Sequence, residues 1–341
     1  MSRLEIQADV DLTGLNTMGI SAKAPWFVEV SDLRELEQAL NWADAQSVPV
    51  WLLGGGSNVI FAGNFEGLVI RLGLRGRSWA NQSEDSATLV LAAGENWHNA
   101  VMYACQCGYR GIENLALIPG SAGAAPVQNI GAYGTELADT LESVRVWDRE
   151  TGAESVLDRD DCQFSYRDSL FKQMPDRYVI LDISLRLDRN KPLNLGYREL
   201  ADYFAGVDAQ TLSAEDVAEA VMCIRQTKLP DPDRIPNAGS FFKNPVVPAT
   251  VADQLLKRFP GLVSYTQADG QVKLAAGWLI DQRGWKGFSN GVVGVHHRQA
   301  LVLTNHGGSG RDVLALAARI ADDIAEHYGV ELEIEPRIAG Q

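Results

Sequence analysis

One stretch limits what this chain can fold into more than any other. It runs Ile118-Pro119-Gly120-Ser121-Ala122-Gly123-Ala124-Ala125-Pro126-Val127-Gln128-Asn129-Ile130-Gly131-Ala132-Tyr133-Gly134. So many small residues do not make a core helix, and so many apolar ones do not make a solvated linker. The segment can pack tightly while pressing its main chain on a flat or anionic ligand, or it can be a buried connection with no ligand. A second glycine-rich turn, Gly54-Gly55-Gly56-Ser57-Asn58-Val59, follows an apolar run at 48–53 short enough for a buried strand. Glycines at a strand exit allow close backbone approach and leave N–H groups for phosphate oxygens, although a plain tight turn reads the same way. No Lys-Ser/Thr follows, so it is not a Walker loop, and Val59 occupies the third glycine position of a dinucleotide fingerprint. The two glycine-rich stretches fall in one predicted pair of lobes, which favours ligand binding by the longer one.

Charge and cysteine usage narrow the setting. Thirty Lys and Arg stand against 44 Asp and Glu, for a formal charge of -14. With no basic cluster, such a chain is repelled by nucleic acid and by anionic membranes, so an anionic ligand must be held locally. Cys105, Cys107, Cys162 and Cys223 form no CxxC pair and read as reduced thiols. The start, MSRLEIQADVDL, is charged and lacks the apolar segment of a signal peptide, and no apolar run approaches the ~20 residues of a membrane span. A soluble cytoplasmic protein is expected, and a monomer. The 5 histidines lack metal-ligand spacing and no GxSxG elbow is present, so neither a metal centre nor a serine hydrolase is indicated.

Periodicity predicts a strand at 26–30, then a helix opened by Asp32 and Glu35 with Leu33, Leu36, Ala39, Leu40 and Ala43 on one face. Strands are predicted at 68–72 and 88–93, and a helix over 95–107. A hairpin is predicted from 143–148 and 154–157 around Arg149-Glu150-Thr151-Gly152, with a further strand at 178–187. Ser213 with Asp216 reads as a helix N-cap, and Leu229-Pro230-Asp231-Pro232 as a boundary. Beyond it come helices at 250–258, 275–283 and 311–328, a strand at 300–304, and a terminal strand at 330–334. The fold class is α+β.

Three stretches carry chemistry. In Phe164-Ser165-Tyr166-Arg167-Asp168-Ser169-Leu170-Phe171-Lys172, Arg167 can hold a carboxylate with its planar fork, or simply pair with Asp168 on a turn. In Asn237-Ala238-Gly239-Ser240-Phe241-Phe242-Lys243-Asn244-Pro245, a hydroxyl between glycine and two aromatics suits proton donation to a carbanion, or serves as a turn serine. Glu333-Ile334-Glu335-Pro336-Arg337 offers late carboxylates, which are ordinarily solvated. Lys228, Tyr197 and Lys273 can each meet an anionic ligand or be ordinary exposed side chains.

Taken together, the two glycine-rich motifs in this order and spacing resemble the FAD-binding region of the bacterial UDP-N-acetylenolpyruvoylglucosamine reductases. YRDS-x-F-K at 166–172 and GSFFKNP at 239–245 are similar to two further motifs of that family. Asn16-Thr17-Met18-Gly19-Ile20 resembles its N-terminal signature, with Met18 where an aromatic is usual. The resemblance runs from about Asn16 to Arg337. It implies a two-lobed flavin domain of the vanillyl-alcohol-oxidase (PCMH) type plus a C-terminal α+β substrate-binding domain. The segments would be 1–75 and 76–228 for the FAD lobes, 229–329 for substrate, and 330–341 for a strand returning to the active site. It implies FAD near Gly54, Gly55, Gly56, Ser57, Asn58, Gly120, Ser121, Gly123, Ala124, Ile130 and Gly131. Arg167, Ser240 and Glu335 would be catalytic, with Glu333 the alternative to Glu335. Tyr166, Tyr197, Lys228 and Asn244 would bind substrate; Tyr197 matches the loop tyrosine of the longer subtype. The implied reaction is NADPH-dependent reduction of UDP-GlcNAc-enolpyruvate to UDP-N-acetylmuramate for peptidoglycan. The alternative is another FAD-dependent oxidase or dehydrogenase of the same fold.

Overall fold

A computed structural model describes residues 4–340, so residues 1–3 and 341 of the expected first and last segments lie outside the described residues. Residues 4–10, Pro25–Gly55 and Glu66–Thr227 form one compact unit. Asp11–Ala24, Gly56–Phe65 and residues 228–340 form a second.

The first unit begins with parallel pairing. Strands Lys23–Val30 and Val50–Leu53 both pair in parallel with Leu68–Leu72, which lies between them, and Gln7–Asp11 borders the sheet. Helix Leu33–Gln46 makes the crossover, and its Asp32 cap accepts from the Glu35 N–H as the sequence predicts. Its Leu36, Ala39, Leu40 and Ala43 pack on Val28, Val30, Leu68 and Ile70. The crossover leaves the Gly54-Gly55 turn at the carboxyl end of a parallel strand, the usual ligand side of such sheets.

An antiparallel sheet of five strands follows, in the order Ala153–Asp158, Leu141–Asp148, Tyr178–Asp188, Ser86–Ala92, Arg77–Ala80. Helices Trp97–Gln106 and Ala214–Lys228 cover it, burying Val101, Ala104, Val217, Val221 and neighbours against Leu89, Val144 and Leu185. The predicted hairpin is present, Val146 opposite Ser155. Strand Tyr178–Asp188 serves two cores. Arg145 pairs with Asp182 and Val146 with Ile180, so Leu181 is an extra residue, a β-bulge. The bulge changes which face each side chain meets. Val179 and Leu181 join the core under the first sheet, while Ile183, Leu185 and Leu187 join the second. The Leu181 carbonyl, displaced by the bulge, accepts from the Ala93 N–H at 2.8 Å.

At the turn end of the hairpin the Arg177 guanidinium donates to Asp148 at 2.9 Å. That hydrogen bond is the chief reason the Asp148 carboxyl is held below its ordinary range. A depressed folded-state pKa stabilises at neutral pH, and the contribution is lost as pH falls through the carboxylate range. Asp148→Asn is therefore expected to lower the melting temperature by a few degrees at pH 7. The gap to wild type should close in acid, as calorimetry across that range would measure.

The second unit is a set of small sheets around a long helix. Strand Val302–Asn305 lies between Asn237–Ser240 and Val293–Val295, and Val272–Leu274 between Val246–Val247 and Ser264–Thr266. Helices Ala249–Arg258, Ala276–Gln282 and Gly310–Tyr328 fall where predicted, the last opened by a Ser309/Asp312 capping box. The N-terminal signature is built into this unit. Buried Asn16 ties its own loop through the carbonyls of Leu12 and Ile20, and Thr17 exchanges hydrogen bonds with Asn237 through its hydroxyl and its carbonyl. Met18 is fully buried, and its carbonyl accepts from Asn305. One expectation fails here. The terminal strand lies not at 330–334 but at Arg337–Ala339, parallel to Val59–Phe61. Ahead of Pro336 the chain pairs with residues 241–243 at one bridge, Ile334 with Phe242, and after it Arg337 donates its N–H to the Asn58 carbonyl and opens the ladder.

Candidate active site

In the first unit the two glycine-rich stretches meet. A Cβ on Gly55 would lie 2.8 Å from the Gly120 Cα, and one on Gly54 would lie 2.7 Å from the Ser121 Oγ. Only glycine permits this backbone-on-backbone contact. Residues 118–134 form no α-helix. They fold as two short turns, Ala122–Ala124 and Pro126–Gln128, laid on the sheet edge. Gly123 sits against Ala93, where a Cβ would come within 2.5 Å of the Ala93 Cβ, and it donates its N–H to the Ala93 carbonyl. The bulge that fixes Ala93 therefore also fixes the loop. Among the described residues, the N–H groups of Gly55, Gly120 and Ser121 have no main-chain acceptor. Clustered donors of this kind suit the oxygens of a diphosphate. A cradle that any side chain would fill, edged by idle donors, fits a dinucleotide such as FAD.

Where the stretch ends, it holds Arg167. Buried Asn129, at φ 43°, binds the Glu136 carboxylate and the Ser165 carbonyl through its side-chain amide. The Arg167 guanidinium donates to the Gly131 carbonyl at 2.9 Å, and its centre lies 5.5 Å from the Tyr166 ring centroid. Arg167 itself is left-handed, at φ 55°, a strained setting for a long side chain that fixes where it projects. Ser169 pins the same turn by donating to the Val127 carbonyl, and the Asp168 carboxylate accepts from Gln173. The Ile130 side chain is buried in the core, so only its main chain can face a ligand. Tyr197 packs edge-on against Tyr133 at 5.1 Å.

In the second unit Ser240 ends its strand opposite Val302. Buried Phe241 and Phe242 wedge the following residues in place. Glu335 is brought to the neighbouring position by its N–H, which donates to the Phe241 carbonyl at 2.9 Å. Glu335 is buried, whereas Glu333 points outward and pairs with Lys243. Alternation along an extended segment separates the two carboxylates. Asn244 accepts from the Ala276 N–H at 2.9 Å and lines a cavity of about 300 Å³. Tyr265, Trp278, Lys286, Arg298 and Gln299 also line it, giving aromatic faces and cations together. Lys286 pairs with Asp281 at the rim. Gly56 belongs to this unit, pressed on the Leu15 carbonyl, and the Asn58 carbonyl accepts from the Arg337 N–H. Lys228 closes helix Ala214–Lys228.

Sequence reasoning missed Asn129, Lys286, Arg298 and Gln299. Asn129 alone left a signal, since asparagine before Ile-Gly favours a left-handed turn.

Two family models match the chain: an FAD binding domain over residues 24–156, and the C-terminal domain of UDP-N-acetylenolpyruvoylglucosamine reductase over residues 231–339. The chain is 47% identical to the UDP-N-acetylenolpyruvoylglucosamine reductase of Pseudomonas aeruginosa, covering 98% of this chain and 99% of that one. It is 49% identical to the protein of the same name from Bordetella pertussis, covering 96% and 93%. Among solved structures, UDP-N-acetylenolpyruvylglucosamine reductase from Thermus caldophilus matches with a TM-score of 0.68 at 24% identity, over 99% of this chain and 100% of that one, a likeness of fold.

Proposed function

Because the chain belongs to the UDP-N-acetylenolpyruvoylglucosamine reductase family, we propose that it reduces UDP-GlcNAc-enolpyruvate to UDP-N-acetylmuramate in peptidoglycan precursor synthesis, with NADPH as electron donor. The protein is an FAD-dependent oxidoreductase. The observation that carries the reading is the contact of Gly55 with Gly120, with unengaged N–H groups beside it. Gly54, Gly55, Gly56, Ser57, Asn58, Gly120, Ser121, Gly123 and Ala124 hold the cofactor, and Ile130 and Gly131 do so through their main chain. Bound FAD supplies the hydride that reaches the enolpyruvyl group.

The chain's own residues do the rest. Arg167 offers its fork to the enolpyruvyl carboxylate and stabilises negative charge as it spreads. Glu335 supports that charge from its buried position, and Ser240 gives its proton to C2 of the substrate. Asn244, Tyr166, Tyr197 and Lys228 bind the substrate. The cavity beside Asn244 takes the nucleotide, with aromatic faces for the base and Lys286 and Arg298 for the diphosphate. The enzyme works as a monomer in the cytoplasm, in keeping with its acidic charge and free cysteines. No helix of the described residues is long and apolar enough to cross a membrane.

Purified protein should show flavin absorbance, and its NADPH oxidation should continue beyond one equivalent per flavin only when UDP-GlcNAc-enolpyruvate is present. Protein that stays colourless after incubation with FAD overturns the reading, as does oxygen consumption with an alcohol in place of that substrate. Lys286→Ala is expected to raise the KM for UDP-GlcNAc-enolpyruvate about tenfold, the size of one charge-assisted hydrogen bond, with kcat little changed. Steady-state kinetics would check it, and an unchanged KM would remove Lys286 from the nucleotide site.

A further inference from the structure

Strand Tyr178–Asp188 ends where the chain leaves the sheet on an excursion that carries Tyr197 and returns at helix Ala214–Lys228. Both stems of the excursion are held by one residue. Arg110 pairs its main chain with Asp188, and its guanidinium donates to the Lys191 carbonyl at 3.2 Å and the Leu212 carbonyl at 3.4 Å. A separate set of bonds acts on the arm. Buried Asn114 donates its side-chain amide to two carbonyls, those of Asn194 and Tyr133, each at 2.9 Å. Asn194 in turn donates its own amide to the Gly134 carbonyl at 2.8 Å. Its Oδ1 accepts from the Gly196 N–H at 3.3 Å, which turns the chain toward Tyr197.

The carbonyls that receive these bonds belong to an unusual turn. Gly131–Ala132 pairs with Thr135–Glu136, so Tyr133 and Gly134 are the two central residues of a tight hairpin, at φ 49° and 80°. Two left-handed residues in that place are ordinarily Asn-Gly or Gly-Gly, and a tyrosine there is strained. Such strain persists where the surroundings over-determine the position. Here they do so through the Asn114 amide on the Tyr133 carbonyl and the edge-on packing of the Tyr133 ring against Tyr197. The base of the same hairpin holds Arg167 through the Gly131 carbonyl, and Asn129 fixes that base through Glu136. One hairpin thus meets Arg167 at its base and the Tyr197 arm at its tip.

We infer that Asn114 and Asn194 are positioning residues for the substrate: their amides latch the arm bearing Tyr197 onto the hairpin tip and so set how tightly UDP-GlcNAc-enolpyruvate is held. This rests on the reading of Tyr197 as a substrate residue. Because the hairpin base has its own ties, cutting the latch leaves Arg167 in place, and the effect falls on binding more than on turnover.

The test is steady-state kinetics of the FAD-loaded enzyme as a double-mutant cycle. Asn114→Ala is expected to raise the KM for UDP-GlcNAc-enolpyruvate about tenfold, with kcat and flavin content within about twofold of wild type. Asn194→Ala, a change at an exposed residue, should raise KM about threefold. In a Tyr197→Ala background either change should add less than about twofold, because the residue through which it acts is gone. An unchanged KM in Asn114→Ala overturns the inference, as does a rise of equal size with and without Tyr197. Should Asn114→Ala fail to fold, the Asn194→Ala cycle decides by the same two outcomes. A wild-type KM in Tyr197→Ala alone would instead overturn the assignment of Tyr197 to the substrate.

Discussion

Ser240→Ala is expected to leave the protein yellow and its reduction by NADPH intact, while turnover of UDP-GlcNAc-enolpyruvate falls roughly a hundred- to ten-thousandfold, the span of lost proton transfer. The separation follows from placement. Ser240 ends a strand of the second unit, registered on Val302 and followed by two buried phenylalanines, so loss of one hydroxyl disturbs no packing. Among the described residues its hydroxyl takes part in no hydrogen bond, so no internal donor or acceptor is orphaned. The residues proposed to cradle the cofactor in the first unit are not touched. Stopped-flow mixing distinguishes the two half-reactions. If reoxidation by the enolpyruvyl substrate ran at the wild-type rate, Ser240 would not be the proton donor.

Gly55→Val is expected to cost FAD itself. Any Cβ at residue 55 lies 2.8 Å from the Gly120 Cα and 3.3 Å from the Gly120 carbonyl carbon. Both are main-chain atoms and cannot swing aside as a side chain would. The loop would have to retreat, and Gly120 is held by the Trp97 N–H, which donates to its carbonyl at 3.1 Å. Strain of about 1–3 kcal/mol, paid in the bound geometry, weakens FAD by roughly ten- to a hundredfold. Gly14→Ala is the control, since nothing lies within 4 Å of a Cβ there. Flavin absorbance relative to protein absorbance after purification reads the outcome. Full occupancy in the valine variant would show that the two loops do not form the cradle.

Local order was legible in the sequence where local forces decide it. Asp32 and Ser213 each precede a helix, and Gly152 at φ 65° closes the predicted hairpin, because caps and turns depend on residues three or four apart. The motifs placed Gly55, Gly120, Arg167, Ser240 and Glu335 in recognisable company. Their settings were not visible. Nothing in residues 11–24 or 56–65 announces that they join the second unit, since that depends on partners such as Asn237 and Arg337 far along the chain. The shift of the last strand past Pro336 required knowing that Val59–Phe61 would offer an edge. Lys286 and Arg298 gave no signal at all, since a basic side chain reads as solvated until the fold shows what surrounds it.

The extra residue at Leu181 joins two oily interiors through one unbroken strip of backbone. Melting either interior must tear the same strip, so both should come apart in one step, and the amides of Tyr178–Asp188 should exchange with solvent only when both open. The loop proposed to hold the cofactor rests on that strip by way of Ala93 and Gly123. Occupancy of that loop by a dinucleotide is therefore expected to clamp both interiors, not only the residues that touch it.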